Sequence, residues 1–185
     1  MTIFEKKKLE RDTFRKLREK ISLNQIKNVE KNVKLYIDSF IKEYKRIGYV
    51  AIYWPLKNEV DIRSLKEKIS LALPRCKEKK ELLFYPWDEK PLTKDSEGIP
   101  SPNNSFSLSH KQISMIFVPC LSVDKNLIRL GYGGGYFDKL RRDKNWRNVP
   151  CIGVLTSNCV STFPLTRAEW DIPLSGFITE KEIFV

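Results

Sequence analysis

The 185-residue sequence is poor in the features that mark secreted, membrane and zinc-binding proteins. Its four cysteines form no C-x-x-C pair, which argues against a zinc site or a disulfide framework and favours reduced, partly buried thiols. No apolar run approaches the about 18 residues that span a bilayer, and the N-terminus lacks the apolar segment of a secretory signal. We therefore expect a cytoplasmic protein with no membrane partner.

Histidine is almost absent as well. The single residue, His110, lies in a polar stretch, which argues against a Ser-His-Asp hydrolase. A content of 41% hydrophobic and 31% charged residues suits a globular chain, and 185 residues is a usual length for one domain with a sizeable core. We expect a single domain over residues 1–185, present as a monomer.

Acidic residues are outnumbered, since 34 Lys and Arg against 23 Asp and Glu give a net charge of +11. Residues 1–50 carry a net +7 and residues 101–150 a net +5, so the excess is local. Both segments could attract nucleic acid, a nucleotide or an acidic small molecule, although the alternating lysines and glutamates of the first also suit a solvated surface. No RRM, KH or dsRBD signature supports an RNA-binding module, so we expect no nucleic-acid partner.

Apolar periodicity predicts helices that alternate with strands. Helices are predicted over residues 3–20, after the N-cap residue Ser22, and over DIRSLKEKISLAL. Strands are predicted at YVAIYWP, ELLFYPW, SMIFVPCL, VPCIGVL and GFITEKEIFV, with a long loop over residues 88–113. This order predicts an α/β fold with a mainly parallel sheet and helices on both faces. Ligands bind such sheets outside the carboxyl ends of the strands, here the loops after Tyr53, Phe84, Pro119 and Leu155.

Glycine is scarce but clustered, because four of the eight glycines fall between positions 131 and 135. The segment matches neither the P-loop spacing nor G-x-G-x-x-G, since Tyr136 stands where the last glycine would be. Glycines let successive amides point at one anion, so a phosphate cradle is one interpretation and a tight strand-to-helix turn is the other. Arg129 and Asp138 flank the loop and favour the cradle, since they could bind phosphate and Mg²⁺.

Other residues have both a functional and a structural interpretation. Glu59 could hold a ligand's donor groups or be an acidic residue at a helix start, and Asp171 could be a metal ligand or a turn aspartate. Five aromatic residues near strand ends could stack on a planar heterocycle or belong to the core or its rim: Trp54, Tyr85, Trp87, Tyr132 and Tyr136.

Three segments follow one another along the chain: AIYWPLKNEVD, then MIFVPCLSVDKNLIRLGYGGGYFDKL, then IGVL followed by EWDIPLSGFITE. Together they resemble the 5-formyltetrahydrofolate cyclo-ligase family over nearly the whole chain, most specifically at RLGYGGGYFD. The resemblance implies a Rossmann-like, three-layer α/β sandwich. It also implies an ATP- and Mg²⁺-dependent conversion of 5-formyltetrahydrofolate to 5,10-methenyltetrahydrofolate, ADP and phosphate. The alternative within enzymes is another ATP-dependent phosphoryl transferase that uses the same loop on a different small acid.

The resemblance also implies roles for individual residues. It places ATP contacts on Lys7, Lys8, Arg11, Arg129, Leu130, Gly131, Tyr132, Gly133, Gly134, Gly135, Tyr136 and Phe137. It places substrate contacts on Trp54, Glu59, Tyr132, Gly133, Gly134, Gly135 and Tyr136. Arg129 and Tyr136 are implied to be catalytic, and Asp138 and Asp171 to be the metal ligands.

The chain departs from the family pattern in four places. The residue before the arginine of the N-terminal motif is usually apolar but is Glu10 here, so Phe14-Arg15 is an alternative register to Lys7 and Arg11. Ser101-Pro102 replaces a usual Glu-Pro, Cys159 replaces a common glutamine, and the loop before EWD is longer. No phosphate- or metal-binding group is lost, so these departures bear on substrate contacts and leave the reaction class unchanged.

Overall fold

Seven strands form one mainly parallel sheet in the computed structural model, which describes residues 1–44, 47–88 and 90–185. In chain order the elements are α1 (Ile3–Arg18), α2 (Leu23–Glu43), β1 (Tyr49–Ala51), β2 (Leu71–Lys77), β3 (Glu81–Pro86), β4 (Thr93–Lys94), β5 (Pro100–Ser101), β6 (Ile113–Pro119), β7 (Ser122–Val123), β8 (Arg129–Leu130), α3 (Tyr136–Arg142), α4 (Lys144–Arg147), β9 (Cys151–Val154), β10 (Gly176–Ile178) and β11 (Ile183–Phe184). The sheet order is β11-β10-β9-β6-β1-β2-β3, and only the two edge strands run antiparallel to their neighbours. The predicted fold class is confirmed.

Helices cover both faces of this sheet. On one face α2 packs Val29, Val33 and Ile37, all fully buried, against the apolar side chains of β1, β2, β6 and β9. On the other face α3 and α4 pack against a second cluster, to which Trp146 contributes. Ser22 caps α2 as predicted, since its side chain accepts from the Gln25 amide and Gln25 reciprocates. No helix in the described ranges is long and apolar enough to cross a bilayer.

Helix α1 lies within the predicted range, but apolar residues alone do not make its buried face. Ile3 and Leu9 are exposed, whereas the buried side chains are Lys7, Phe14 and Arg18. These three lie on one helical face, because positions separated by seven and four residues recur at nearly the same angle around a helix. Phe14 packs in a small apolar cluster with Leu121 and Leu130, and the two buried cations beside it need polar partners.

The helix predicted over DIRSLKEKISLAL is wrong. The structure has only a 3₁₀ turn at Arg63–Glu67, and the following residues form β2. The segment forms a strand because it pairs with β1 on one side and β3 on the other, where Leu71 and Leu73 are buried. Pro74 is tolerated in β2 since the pairing with β1 ends at Ala72, and its missing N–H breaks no ladder on that side.

The chain leaves the neighbouring strands β1 and β6 in opposite directions, toward β2 and toward β9. Such a switch point opens a crevice at the carboxyl ends of the two strands. The predicted loop over residues 88–113 contains the β4–β5 hairpin and a 3₁₀ turn at His110–Gln112, and Glu89 lies outside the described residues. Asp95 and Ser96 hold the hairpin to the Cys76 backbone at the carboxyl end of β2. The hairpin thereby forms one wall of the crevice.

Candidate active site

A cavity of about 280 Å³ lies at this switch point. Its volume falls near the lower end of the range for small-molecule sites. Nearly every residue proposed for ATP, substrate or metal contacts lines it: Lys7, Arg11, Trp54, Glu59, Arg129, Leu130, Gly131, Tyr132, Gly133, Gly134, Gly135, Tyr136, Phe137, Asp138 and Asp171. Lys8 is the exception, because it is exposed on α1 and does not line the cavity.

The glycine loop connects β8 to α3 along one wall. Gly133 and Gly135 have φ values of 110° and 77°, which side chains other than glycine rarely adopt. Within the described part of the chain, the backbone N–H groups of Gly133 and Gly134 donate to no other protein group. Unpaired amides beside cations are suited to an anionic ligand. The interpretation as a phosphate cradle therefore accounts for more than a simple turn does.

Two ion pairs join cations of the cavity to the carboxylates proposed for the metal. Lys7 contacts Asp171, and both side chains are buried. Arg129 Nη2 donates to Asp138 Oδ1 at 2.7 Å. Burial by itself would raise the pKa of Asp138, but the charge and hydrogen bond of Arg129 outweigh it, and the pKa lies below the usual value. Both carboxylates are thus held close to cations that a bound nucleotide could also contact.

The buried face of α1 distinguishes the two registers of the N-terminal motif. Arg11 lines the cavity and its Nε donates to the Gly131 carbonyl at 2.9 Å, next to the buried Lys7. Arg15 is exposed, pairs with Asp12, and reaches only the Tyr132 carbonyl at 3.5 Å. The geometry therefore places the Lys7 and Arg11 register inside the cavity and Arg15 at its outer edge.

Glu59 lines the same cavity as the glycine loop. It closes a tight turn, since its Oε2 accepts from the Leu56 amide at 2.8 Å, and only 6% of the residue is exposed. Its other oxygen, Oε1, is buried without a hydrogen-bond partner among the described residues. Burial raises the pKa of Glu59, against the effect of the Leu56 amide and the charge of Arg18. An unsatisfied acceptor of this kind is suited to a ligand that brings N–H groups.

The carboxylates are compatible with a divalent cation. No three His, Cys, Asp or Glu side chains converge in the described ranges, so the protein offers at most the pair Asp138 and Asp171 here. Mg²⁺ commonly takes one or two carboxylates and completes its shell with water and substrate phosphates. The donor set therefore suits a Mg²⁺ ion that arrives with a nucleotide.

Of the four strand-end loops expected to form the site, those after Tyr53 and Pro119 line the cavity and those after Phe84 and Leu155 do not. The loop after Phe84 lies away from the cavity because β3 is antiparallel to β2, so its carboxyl end is at the opposite end of the strands. Among the aromatic candidates Trp54, Tyr132 and Tyr136 line the cavity. Tyr85 is buried, and Trp87 packs against the core with its ring edge-on to Trp54, at 6.4 Å between the ring centres.

Three residues that the sequence analysis did not single out bond residues of the site or the segments that carry them. Glu97, on the hairpin, accepts from the Tyr136 hydroxyl at 2.6 Å, and this raises the pKa of Tyr136 to about 12. Arg141 is buried and donates to the Ile172 and Pro173 carbonyls, so it fixes the segment after Asp171 to α3, the helix that carries Asp138. Arg18 is buried behind Tyr132. Only the helical spacing of Arg18 from Lys7 and Arg11 could have identified one of them.

Comparisons with known proteins agree on one family. Residues 3–180 match the model of the 5-formyltetrahydrofolate cyclo-ligase family. The chain is 27% identical over 175 residues to the 5-formyltetrahydrofolate cyclo-ligase of Haemophilus influenzae, covering 89% of this chain and 92% of that protein. The Escherichia coli K12 enzyme of the same name is 25% identical over 146 residues, covering 73% and 79%.

Solved structures give the same result for the fold. The NMR structure of Aquifex aeolicus 5,10-methenyltetrahydrofolate synthetase matches with a TM-score of 0.75 and 27% identity, over 96% of this chain and 91% of that chain. The synthetase of Mycoplasma pneumoniae matches with a TM-score of 0.72 and 23% identity, over 94% and 98%.

Proposed function

The chain belongs to the 5-formyltetrahydrofolate cyclo-ligase family, and we propose that it uses ATP with Mg²⁺ to convert 5-formyltetrahydrofolate into 5,10-methenyltetrahydrofolate, ADP and phosphate. The observation that carries the proposal is that two chemically different sets of residues line one cavity. Lys7, Arg11 and the glycine loop offer cations and unpaired amides, while Trp54 and Glu59 offer an aromatic face and a buried acceptor. The first set suits a triphosphate and the second suits a pterin ring.

The reaction needs a poor electrophile to be activated. The N5-formyl group resembles an amide, so N10 can displace its oxygen only after that oxygen has become a leaving group. Transfer of the γ-phosphoryl group of ATP to the formyl oxygen achieves this. N10 then attacks the formyl carbon and loses its proton to solvent, and phosphate leaves with the oxygen. Catalysis of such a transfer depends on positioning and on neutralising charge, and no protein nucleophile is required.

The chain's residues have matching tasks in this scheme. Arg11 and the amides of the glycine loop hold phosphate oxygens, and Arg129 neutralises the charge that develops on the transferred group. Glu59 accepts from the pterin N–H groups, and Trp54 or Tyr136 packs on the ring. Asp138 and Asp171 would hold Mg²⁺, which when bound supplies further neutralisation of phosphate charge.

The direct test is an assay of the purified protein with MgATP and 5-formyltetrahydrofolate, followed by the near-ultraviolet absorbance of the methenyl product. We expect product formation that needs both ATP and Mg²⁺. Release of ADP with another small acid as acceptor, and no methenyl product, would instead identify a different phosphoryl transferase. Salt-dependent RNA binding without ATP-dependent turnover would contradict the proposal and favour an RNA-binding protein.

Glu59→Gln is expected to raise the KM for 5-formyltetrahydrofolate about tenfold or more, because a charge-assisted hydrogen bond to the ligand becomes a neutral one. The KM for ATP should change little. Burial raises the pKa of Glu59, so folding favours its protonated form, and stability is lost as pH rises from the ordinary glutamate pKa through the raised pKa of the folded state. The melting temperature of Glu59→Gln at pH 7 should therefore not fall. Glu67→Gln, at an exposed position outside the cavity, is the matched control, and an unchanged folate KM in Glu59→Gln would remove Glu59 from the folate site.

A further inference from the structure

Arg18 is a buried cation at the end of α1 that lines no part of the cavity yet contacts three segments around it. Its Nε donates to the Asn58 carbonyl at 2.6 Å, and its Nη1 donates to the Cys120 carbonyl at 3.3 Å and to the Tyr132 hydroxyl. Its guanidinium also lies 5.5 Å from the centre of the Tyr132 ring. One side chain therefore joins the turn before Glu59, the end of β6 and the glycine loop.

The turn that carries Glu59 has few other constraints. Asn58 takes a left-handed conformation with φ of 64°, and the turn is closed by the Glu59 amide donating to the Leu56 carbonyl at 2.9 Å. The Asn58 carbonyl points inward to Arg18. A guanidinium can serve several acceptors in fixed directions, which a lysine cannot reproduce, so the arginine fork sets where this turn lies relative to Tyr132.

We infer that Arg18 is a positioning residue that fixes the Glu59 turn and Tyr132, which both line the cavity, in the arrangement that receives the folate. This inference rests on the proposed function, since it assigns both residues to the folate site. Arg18 acts through its neighbours, because its own side chain is buried behind them and does not line the cavity.

The positive charge of Arg18 also acts on the pKa of Glu59. Burial raises the pKa of Glu59, and the positive charge of Arg18 acts against that rise. Among the charges of the described residues, that of Arg18 is the one that lowers the pKa of Glu59, and the nearby Tyr53 hydroxyl donates to the Val60 carbonyl instead. Removal of Arg18 should therefore favour protonated Glu59, so that the acceptor needed for the folate is lost at a higher pH.

The test compares Arg18→Met, Arg18→Lys and the control Lys16→Met, which removes one charge from an exposed position of the same helix. In ligand-free protein, carboxyl ¹³C NMR with Glu59→Gln for assignment should show Arg18→Met raising the pKa of Glu59 by about one pH unit. Arg18→Lys should leave that pKa close to the parent value. Lys16→Met should match the parent throughout.

Kinetics on the same variants test positioning separately from charge. Arg18→Met and Arg18→Lys should both raise the KM for 5-formyltetrahydrofolate about tenfold, because both lose the fork that holds the Glu59 turn. The KM for ATP should rise less, since Tyr132 is the one proposed ATP contact that the Arg18 side chain bonds among the described residues. Only Arg18→Met should move the acidic limb of kcat/KM to higher pH, and Arg18→Met/Glu59→Gln should lack this shift. If Arg18→Met does not fold, Arg18→Lys still tests positioning, since a parental folate KM in that variant would overturn the inference. A parent protein without cyclo-ligase activity would contradict the proposed function instead, and the NMR result would still report on Arg18.

Discussion

Asp138→Asn should lower kcat about 100-fold or more and leave the fold intact. Loss of a group that merely orients a metal ligand commonly costs about 10- to 100-fold, so replacing a ligand itself belongs at the upper end of that range. Asparagine keeps the shape of aspartate and can still accept from Arg129, which now bonds the carboxylate at 2.7 Å. The loss should be measured as kcat against Mg²⁺ concentration and should shrink as Mg²⁺ is raised.

Asp143→Asn is the matched control for this prediction. Asp143 carries the same charge at the end of α3, lies outside the cavity and caps α4 through the Asn145 amide, a role that asparagine also fills. Asp138→Asn with parental activity at limiting Mg²⁺ would show that Asp138 does not hold the metal. Because the pKa of Asp138 lies below its usual value and that of Glu59 lies above it, the acidic limb of kcat/KM is expected to follow Glu59 rather than Asp138.

The sequence predicted the layers of the fold because burial of α2 and of the parallel strands follows a regular apolar period. It failed at β2, where the apolar residues suit a helix and a strand equally well and only the strands on both sides decide. At α1 the helix itself was predicted, but the burial of Lys7 and Arg18 beside Phe14 was not. A periodicity search that scores only apolar residues cannot detect a face whose burial is stabilised by ion pairs and carbonyl contacts.

The residues that line the proposed site were easier to predict from the sequence than the residues that hold them in place. The glycine loop and its flanking charges are contiguous in sequence, so the loop could be recognised before any fold was known. Glu97, Arg141 and Arg18 reach partners more than 30 residues away, at Tyr136, Ile172 and Asn58. Such contacts depend on tertiary structure, and no local spacing encodes them.

The same geometry gives a role to part of the excess positive charge. Lys7, Arg11 and Arg129 come from the two most basic segments of the sequence and meet in one cavity. Each has a carboxylate or a carbonyl as its partner, at Asp171, Gly131 and Asp138. These cations favour the binding of a triphosphate, because its phosphate oxygens can replace the carboxylates and the carbonyl as their partners.

Arg129→Lys should lower kcat about 100-fold or more although it conserves the charge. The Arg129 side chain is only 9% exposed, bonds the Pro119 carbonyl as well as Asp138, and packs so closely under the loop that a Cβ added at Gly131 would lie 3.0 Å from it. Lysine can meet one of these partners but not hold a planar fork against a phosphoryl group. Arg142→Lys, on the exposed side of the same α3 region, should retain activity.

Because Arg129 and Asp138 form one unit, Arg129→Lys/Asp138→Asn should lose much less activity than the product of the two single losses. Multiplicative losses would show that the two residues act independently.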